Sequence, residues 1–370
     1  MNLRTTSAVV GETPARLVGV NLMPYLSCGR FLISSEEKNA HRYFVDQLFI
    51  PHGIAGRIRW LLRIPTMRLA EKSEVEVVER LHESLRNEQL RCSIVLKDYD
   101  SNARGRVTAF LFDSAGSTPH SVVKVQRAPE GGERSLRTEA ETLELMQRTL
   151  PPELRRTVPA VLRFESGVES ELLITTMLSG RSAYSEFHTS IRPAAHLERH
   201  FGAAARWLAS FHQATGGVPA RSLVEVEATS PVHGDYWARN LLIDSSGSMN
   251  VVDWEDFTAS GSPFIDLFHF PLTYGLAYPW TRYRRLQTEA AFCRTFLERN
   301  RLSKAVQQYF RLWCATTGIP VTGLKEAFRL YLQTSGTMGL PERERPGIAG
   351  LPWNTLAAQF DRASESVFSG

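Results

Sequence analysis

Residues 230–257 of this chain read SPVHGDYWARNLLIDSSGSMNVVDWEDF. The apolar run Leu241–Ile243 is followed by a Ser/Gly-rich turn and then by a second apolar run at residues 250–252. Two short strands joined by such a turn predict a β-hairpin. In a hairpin, the residue before the first strand and the residue after the second lie at the same end. We therefore expect Asn240 and Asp253 to converge there.

Three side chains around this hairpin carry oxygen atoms of the kind that phosphoryl transfer needs. Magnesium prefers hard oxygen ligands and keeps several waters, so the Asn240 amide and the Asp253 carboxylate, with nucleotide phosphates, could complete its coordination. Transfer to a hydroxyl also needs a carboxylate that positions the acceptor and takes its proton. Asp235, five positions before Asn240, is placed for that role. Acidic residues that merely cap turns would explain each residue alone but not their joint spacing.

The segments HGDYWARN, residues 233–240, and VVDWED, residues 251–256, resemble the catalytic-loop and metal-loop motifs of aminoglycoside phosphotransferases and choline kinases. These enzymes are relatives of the protein kinases in which HGD replaces the HRD triplet. The resemblance implies that Asp235 is the catalytic base and that ATP or GTP donates the phosphoryl group. It also implies that Asn240 and Asp253 bind Mg²⁺, and that Asp266, in GSPFIDL, braces the catalytic loop.

The same resemblance implies an α+β, two-lobed, protein-kinase-like fold with an antiparallel-sheet N-lobe and a mostly helical C-lobe. The middle of the chain alternates strand-like segments with polar loops, and most of the remainder has a helical pattern. We therefore predict an N-terminal extension over residues 1–90, a nucleotide-binding N-lobe over 91–178 and a C-lobe over 179–370. The extension carries no catalytic motif, has a helical pattern at residues 71–90, and is expected to brace the N-lobe or bind a partner.

A kinase N-lobe needs a lysine on a strand to hold the phosphates. Lys124 lies inside the apolar run SVVKVQR, where its ammonium requires a carboxylate or phosphate partner. The rival is Lys97, which falls at a strand end beside Asp98 and Asp100 and is more simply explained as a solvated charge. Lys124 is therefore our candidate for nucleotide binding.

The helical segment RSLRTEAETLELMQ contains two candidate partners for that lysine, Glu139 and Glu141. At about 100° per residue, Glu139 borders the apolar face formed by Leu136, Ala140 and Leu143, whereas Glu141 points away from it. Glu139 is therefore the better partner, and the family resemblance agrees. The alternative is an ordinary surface glutamate.

Three further features are interpreted from their positions. The loop DYDSNARGRV, residues 98–107, is expected to cover the phosphates, with Gly105 allowing backbone amides to approach them. His212 lies on the apolar face of a helical run and is predicted to be a satisfied core residue. His233, in the catalytic loop, is predicted to orient the backbone or Asp253 through hydrogen bonds, and neither histidine has a partner at metal-ligand spacing.

Composition and charge narrow the class of protein. A net charge of +4 over 370 residues argues against a nucleic-acid binder. No apolar run is long enough for a signal-peptide core or a membrane span, and the four scattered cysteines fit free thiols in a reducing compartment. We expect a cytoplasmic protein whose partners are a nucleotide triphosphate and a small-molecule acceptor.

The acceptor is expected to bind the helices and loops of residues 266–345. Members of the family that the motifs resemble phosphorylate aminoglycosides, amino-alcohols and sugars, and the N-terminal extension favours a biosynthetic or polysaccharide-linked kinase over an antibiotic-resistance kinase. Two alternatives stay open. Loss of Asp235, Asn240 or Asp253 would favour a nucleotide-binding pseudokinase scaffold, but all three are present. HRD, DFG and APE segments would favour a protein kinase, and the sequence has none of them.

Overall fold

A computed structural model gives the structure of part of the chain. The residues that it describes are 25–28, 31–34, 38–48, 68–69, 91–97, 106–112, 118–127, 135–167, 170–190, 192–216, 230–278, 287–337, 351–363 and 366–368. The predicted helical pattern at residues 71–90 and most of the predicted phosphate-covering loop lie outside these residues. The predicted boundaries of the extension and the two lobes stay predictions.

An eight-stranded antiparallel sheet forms the first lobe, in the order β3-β1-β2-β4-β5-β6-β8-β7. Its strands are β1 (Tyr25–Cys28), β2 (Phe31–Ser34), β3 (Arg68–Leu69), β4 (Arg91–Lys97), β5 (Val107–Phe112), β6 (Pro119–Arg127), β7 (Val161–Ser166) and β8 (Ser170–Thr176). The first three strands come from the N-terminal extension, and β2 pairs with β4. The extension thus adds strands to the sheet, which the sequence pattern did not predict.

Alternation along β6 positions the predicted nucleotide-binding lysine. Ser121 and Val123 are buried, whereas Val122 and Lys124 point to the other face and are only partly buried, as expected for side chains of period two. The helix α2 (Leu136–Thr149) packs on the sheet through Leu136. This packing places Glu139, on the inner face of α2, next to Lys124.

The second lobe is mostly helical. Its helices are α4 (Ala183–Thr189), α5 (Leu197–Ala214), α6 (Phe264–Ala277), α7 (Thr288–Phe296), α8 (Arg301–Thr317), α9 (Leu324–Thr337) and α10 (Trp353–Arg362), and the first lobe adds α1 (Lys38–Tyr43) and α3 (Pro152–Arg155). One large apolar core joins the helices of the second lobe with the end of α2. Each fully buried aromatic or leucine side chain in it contributes about 1.5–3 kcal/mol. This core is the rigid support on which the polar loops sit.

A short hairpin interrupts the helices, as predicted. Its strands β11 (Leu241–Ile243) and β12 (Met249–Val251) pair antiparallel, with Leu241 opposite Val251. The turn is closed by the Asp244 carboxylate, which accepts hydrogen bonds from the backbone N–H groups of Ser246 and Ser248 at 2.8 and 2.9 Å. Three further short strands were not predicted: β9 (Arg181–Ser182), which pairs with β11, and β10 (Ser230–Val232) and β13 (Thr258–Gly261), which pair with each other.

His212 is buried in the core at the end of α5, as predicted. Its Nδ1 accepts a hydrogen bond of 3.3 Å from the indole N–H of Trp313. Its Nε2 is buried with no hydrogen-bond partner among the described residues, so this histidine is only half satisfied. Burial lowers its pKa to about 3, and the ring is therefore neutral at physiological pH.

The sheet-rich lobe followed by a helical lobe confirms the predicted α+β, two-lobed, protein-kinase-like fold. Among the helices that the structure describes, none is both long and apolar enough to cross a membrane.

Candidate active site

The end of the hairpin brings Asn240 and Asp253 together. The backbone N–H of Val252 donates to the Asn240 carbonyl at 3.0 Å, so the ladder continues one pair beyond β11 and β12. Asp253 follows directly and has φ of +67°, the one positive φ at a non-glycine residue in the described part of the chain. Left-handed backbone at such a residue costs about 1–3 kcal/mol and is concentrated at functional sites. From this turn the Asp253 carboxylate reaches the Lys124 ammonium of the first lobe, at 2.7 Å.

Asp235 and Asn240 are joined side chain to side chain. The Asn240 amide nitrogen donates to Asp235 Oδ2 at 2.8 Å and to the Asp235 carbonyl at 3.0 Å. Because both partners are oxygen acceptors, the amide nitrogen must face Asp235, and the amide oxygen faces the other way. The Asp235 side chain keeps 15% of its surface exposed. The carboxylate is therefore held in one orientation while remaining accessible to a small molecule.

Asp266 braces the turn that carries Asp235. It lies in the first turn of α6, is fully buried, and accepts hydrogen bonds from the backbone N–H groups of His233 at 2.6 Å and Gly234 at 3.0 Å. Charge-assisted bonds of this kind are about twice as strong as neutral ones. The bracing expected of Asp266 from the family resemblance thus corresponds to two direct hydrogen bonds.

His233 connects the loop that carries Asp235 to the end of the hairpin. Its Nδ1 accepts from the backbone N–H of Asp235 at 3.2 Å, and its Nε2 lies 3.1 Å from the Val252 carbonyl, to which it donates. These partners define a neutral ring with the proton on Nε2. Burial lowers the pKa of His233 to about 4, which agrees with that tautomer. As predicted, His233 orients backbone through hydrogen bonds.

Gly234 adopts a conformation that a larger residue cannot share. Its φ is +85°, and a Cβ atom at this position would lie 2.2 Å from the backbone oxygen of Asp256. The backbone cannot relieve such a clash unless the turn that carries Asp235 moves. The glycine of HGD is therefore required by a close approach of two chain segments.

We expect Gly234→Ala to remove activity and to lower stability by at least about 2 kcal/mol, from left-handed strain plus the clash. Gly247→Ala is the matched control, because Gly247 has φ of +83° but no atom within 4 Å of the added Cβ. That control should cost about 1 kcal/mol from strain alone and leave turnover unchanged. Thermal melts of both variants measure the difference, and equal melting temperatures would contradict the clash.

Lys124 is the centre of an ion network that joins the two lobes. Its ammonium donates to both oxygens of Glu139, at 2.7 and 2.9 Å, and to Asp253 Oδ1 at 2.7 Å. Glu139 on α2 is 3% exposed, whereas Glu141 is exposed. The structure therefore pairs Lys124 with Glu139, the glutamate that helical periodicity predicted. The side chain of Lys97 lies outside the described residues.

The charged groups of this network shift one another's pKa values. Burial disfavours the Lys124 ammonium, but the Asp253 and Glu139 carboxylates outweigh it and raise the pKa of Lys124 above its ordinary value. Burial likewise opposes ionisation of Asp253, yet the neighbouring ammonium lowers the pKa of that carboxyl. Burial dominates at Glu139 and raises its pKa. Lys124 and Asp253 are therefore both charged at neutral pH.

Two polar contacts beside this network were not predicted. Arg106, at the start of β5, pairs with Glu255 of the DWE triplet across the two lobes, and it donates to Gln126 Oε1 at 3.0 and 2.7 Å. Arg106 lies at the end of the predicted phosphate-covering loop, and this position could have identified it as a candidate site residue. Arginine next to that loop adds a fixed positive charge near the Lys124 network.

His269, which sequence reasoning also missed, lies beside Asp235. It is one turn after Asp266 on α6, is 1% exposed, and its Nε2 is 3.7 Å from Asp235 Oδ1. The other oxygen of Asp235 is held by Asn240. Helical spacing from Asp266 could have suggested that a residue three positions later faces the catalytic loop.

The comparisons with known proteins found structural likeness only. No protein-family model matches the chain, and no curated protein matches it. The solved structures that it resembles include the aminoglycoside phosphotransferase APH(3'')-Id from Streptomyces rimosus ATCC10970, and the same protein in complex with ADP and streptomycin. Each is 14% identical with a TM-score of 0.38, and the matches cover 66% and 65% of this chain and 98% of the other chain. At this level of similarity neither structure indicates what this chain acts on, and the functional proposal depends on the site itself.

Proposed function

We propose that this chain is a magnesium-dependent phosphotransferase that transfers the terminal phosphoryl group of ATP or GTP to a hydroxyl of a small molecule. The observation that carries the proposal is the Lys124 ammonium bound at once to Glu139 and Asp253. It is supported by an Asp235 carboxylate that is oriented by Asn240 and still accessible. A turn-capping hairpin would need no buried lysine from the other lobe. Phosphoryl transfer needs these groups at one place.

The donor set fits magnesium. Asp253 uses Oδ1 for Lys124, and among the described residues no hydrogen-bond donor reaches its Oδ2. The Asn240 amide oxygen faces away from Asp235, as its nitrogen is committed there. One carboxylate and one amide oxygen are hard ligands that leave coordination sites for waters and phosphates. Bound there, magnesium would neutralise phosphate charge as it develops.

The chain's own residues would act on the acceptor as follows. Asp235 accepts a hydrogen bond from the acceptor hydroxyl and holds its oxygen in line with the terminal phosphorus. An O–P bond forms while the bond from that phosphorus to the bridging oxygen breaks, and the nucleoside diphosphate leaves with the electron pair. The hydroxyl proton passes to Asp235. Lys124, oriented by Glu139, holds phosphate oxygens of the donor.

The first experiment is magnesium-dependent binding and turnover of ATP and GTP by the full chain, followed by a panel of amino-alcohols, sugars, aminoglycosides and hydroxylated anions. We expect nucleotide to bind with magnesium, and Asp253→Ala to lose that dependence. Nucleotide binding without transfer to any acceptor would favour the pseudokinase scaffold, and transfer to polypeptide hydroxyls would favour a protein kinase. Absence of nucleotide binding under every condition would overturn the proposal.

His269 is expected to position Asp235 within this reaction. We predict that His269→Gln lowers kcat on the order of tenfold, equivalent to about 1.4 kcal/mol, because Asp235 loses its neighbour on the Oδ1 side. Nucleotide affinity should be unchanged, since the ring is not part of the Lys124 network. Steady-state kinetics and nucleotide titration on the same preparation measure both quantities. A rise in nucleotide Kd with kcat unchanged would contradict this role.

A further inference from the structure

A second group of titratable side chains lies outside the candidate active site, where α4 meets the start of α5. It consists of Glu186 on α4, His196 at the end of a short 3-10 turn (Pro193–His196), and His200 on the first turn of α5. One ligand atom from each of the three lies within 4.8 Å of the other two. None of these residues takes part in the proposed phosphoryl transfer.

The three ligand atoms lie close enough together to bind one ion. His200 Nε2 is 2.7 Å and His196 Nδ1 is 3.8 Å from the same oxygen, Glu186 Oε2. Ligands of tetrahedral zinc, each about 2.0–2.2 Å from the metal, lie roughly 3.4 Å from one another, and the observed distances fall on either side of that value. The spacing of His196 and His200, four positions apart along one helical face, is also that of a paired zinc ligand.

Each imidazole has its second nitrogen held by a hydroxyl. His196 Nε2 lies 3.0 Å from the Ser190 hydroxyl, and His200 Nδ1 lies 2.9 Å from the Tyr274 hydroxyl. Metal-binding histidines typically have such a partner, which fixes the orientation of the ring and the nitrogen that faces the metal. Burial lowers the pKa of both imidazoles, which favours the neutral form that a metal requires.

A cation already lies against two of these ligands. The guanidinium of Arg199 donates to Glu186 Oε2, and its Nη2 lies 3.2 Å from His196 Nδ1. Two of the three ligands, Glu186 and His196, therefore face one positive group, while His200 Nε2 hydrogen-bonds to the same Glu186 oxygen. The Arg199 side chain is 38% exposed, so it can move into solvent when another cation arrives.

We propose that Glu186, His196 and His200 form a zinc-binding site that is separate from the magnesium-dependent active site. The set of two imidazoles and one carboxylate suits zinc far better than magnesium, which avoids nitrogen ligands. Bound zinc would join α4 to the start of α5. The first turn of α4 contacts the catalytic loop, since Tyr184 N–H donates to the Ala238 carbonyl at 2.9 Å, so zinc would also stiffen the support of that loop.

The test is calorimetric titration of the full chain with Zn²⁺ in excess Mg²⁺, which occupies oxygen-only sites. We expect one zinc per chain, and Glu186→Gln or His196→Ala to weaken binding by a hundredfold or more, beyond the roughly 10–100-fold loss typical of a removed supporting hydrogen bond. Glu198→Gln, an exposed carboxylate on the same helix, is the matched control and should bind zinc as the wild type does. The Asp253→Ala variant should also bind zinc as the wild type does.

Arg199→Ala separates a metal site from a simple ion pair. If the arginine competes with the metal, its removal should tighten zinc binding severalfold, whereas an ion-pair role predicts lower stability with no change in zinc affinity. Co²⁺ absorption in the visible range reports tetrahedral coordination independently. Absence of stoichiometric zinc binding to the wild type, or unchanged binding by both Glu186→Gln and His196→Ala, would overturn the proposal.

Discussion

Asp235→Asn is expected to lower kcat by about 10³-fold, within the range of 10²–10⁴ for loss of a general base. The asparagine keeps the size of the side chain and can still pair with Asn240, but it cannot accept the hydroxyl proton. The side-chain contacts of Asp235 are to Asn240 and His269, whereas Lys124 binds Glu139 and Asp253, so the substitution leaves the Lys124 network in place. Magnesium-dependent nucleotide affinity should therefore stay within a factor of two or so.

Asp244→Asn provides the matched control for this substitution. Asp244 belongs to the same hairpin, but it is in the exposed turn at the opposite end. Its replacement should leave kcat unchanged. Wild-type turnover by Asp235→Asn, with folding intact by thermal melt, would refute the role of Asp235 while leaving nucleotide binding to be judged separately.

Lys124→Met is expected to have the largest combined effect on stability and activity. Removing the ammonium leaves the carboxylates of Glu139 and Asp253 close together, with Glu139 nearly fully buried. Removing one partner of a buried ion pair costs about 3–5 kcal/mol. Turnover should fall on the order of 10²-fold or more, because a preorganised cation at the phosphates is lost. Chemical denaturation and steady-state kinetics measure the two effects.

This loss of stability should depend on pH in a defined direction. Without Lys124, the pKa of Glu139 in the folded protein rises further above its ordinary value of 4.5. A carboxyl whose folded pKa is raised destabilises the protein only when it must ionise, so the penalty is absent below pH 4.5 and grows as the pH rises toward the folded pKa. The difference in unfolding free energy between variant and wild type should therefore increase from acid to neutral pH.

A double variant distinguishes the structural part from the catalytic part. Lys124→Met with Glu139→Gln removes both charges of the buried pair, so much of the lost stability should return while turnover stays low. Glu141→Gln, on the exposed side of α2, should change neither quantity. Full recovery of turnover in the double variant would contradict a role for Lys124 at the phosphates.

The strands and helices around the site were predictable because each carries its own local signal. The run SVVKVQR, predicted to be a strand, lies within β6, and the hairpin around Asp244 matches β11 and β12 to within one residue. Period-two and helical periodicities depend only on neighbouring residues and a buried face. The strands β9, β10 and β13 carry no such signal, because each pairs with a segment far away in the sequence rather than across a local turn.

The amino-acid sequence by itself determined the elements and the residue types of the candidate site: the hairpin, the Asp235 to Asn240 spacing, the lysine in an apolar strand, and Glu139 on the inner face of its helix. Such features are local, and physical chemistry along the chain is enough to find them. Only the tertiary structure decided that His269 neighbours Asp235, that Arg106 pairs with Glu255, and that an acid, two imidazoles and an arginine meet between α4 and α5. These contacts join residues through the packing of separate elements, and no local periodicity encodes which distant side chains will face each other.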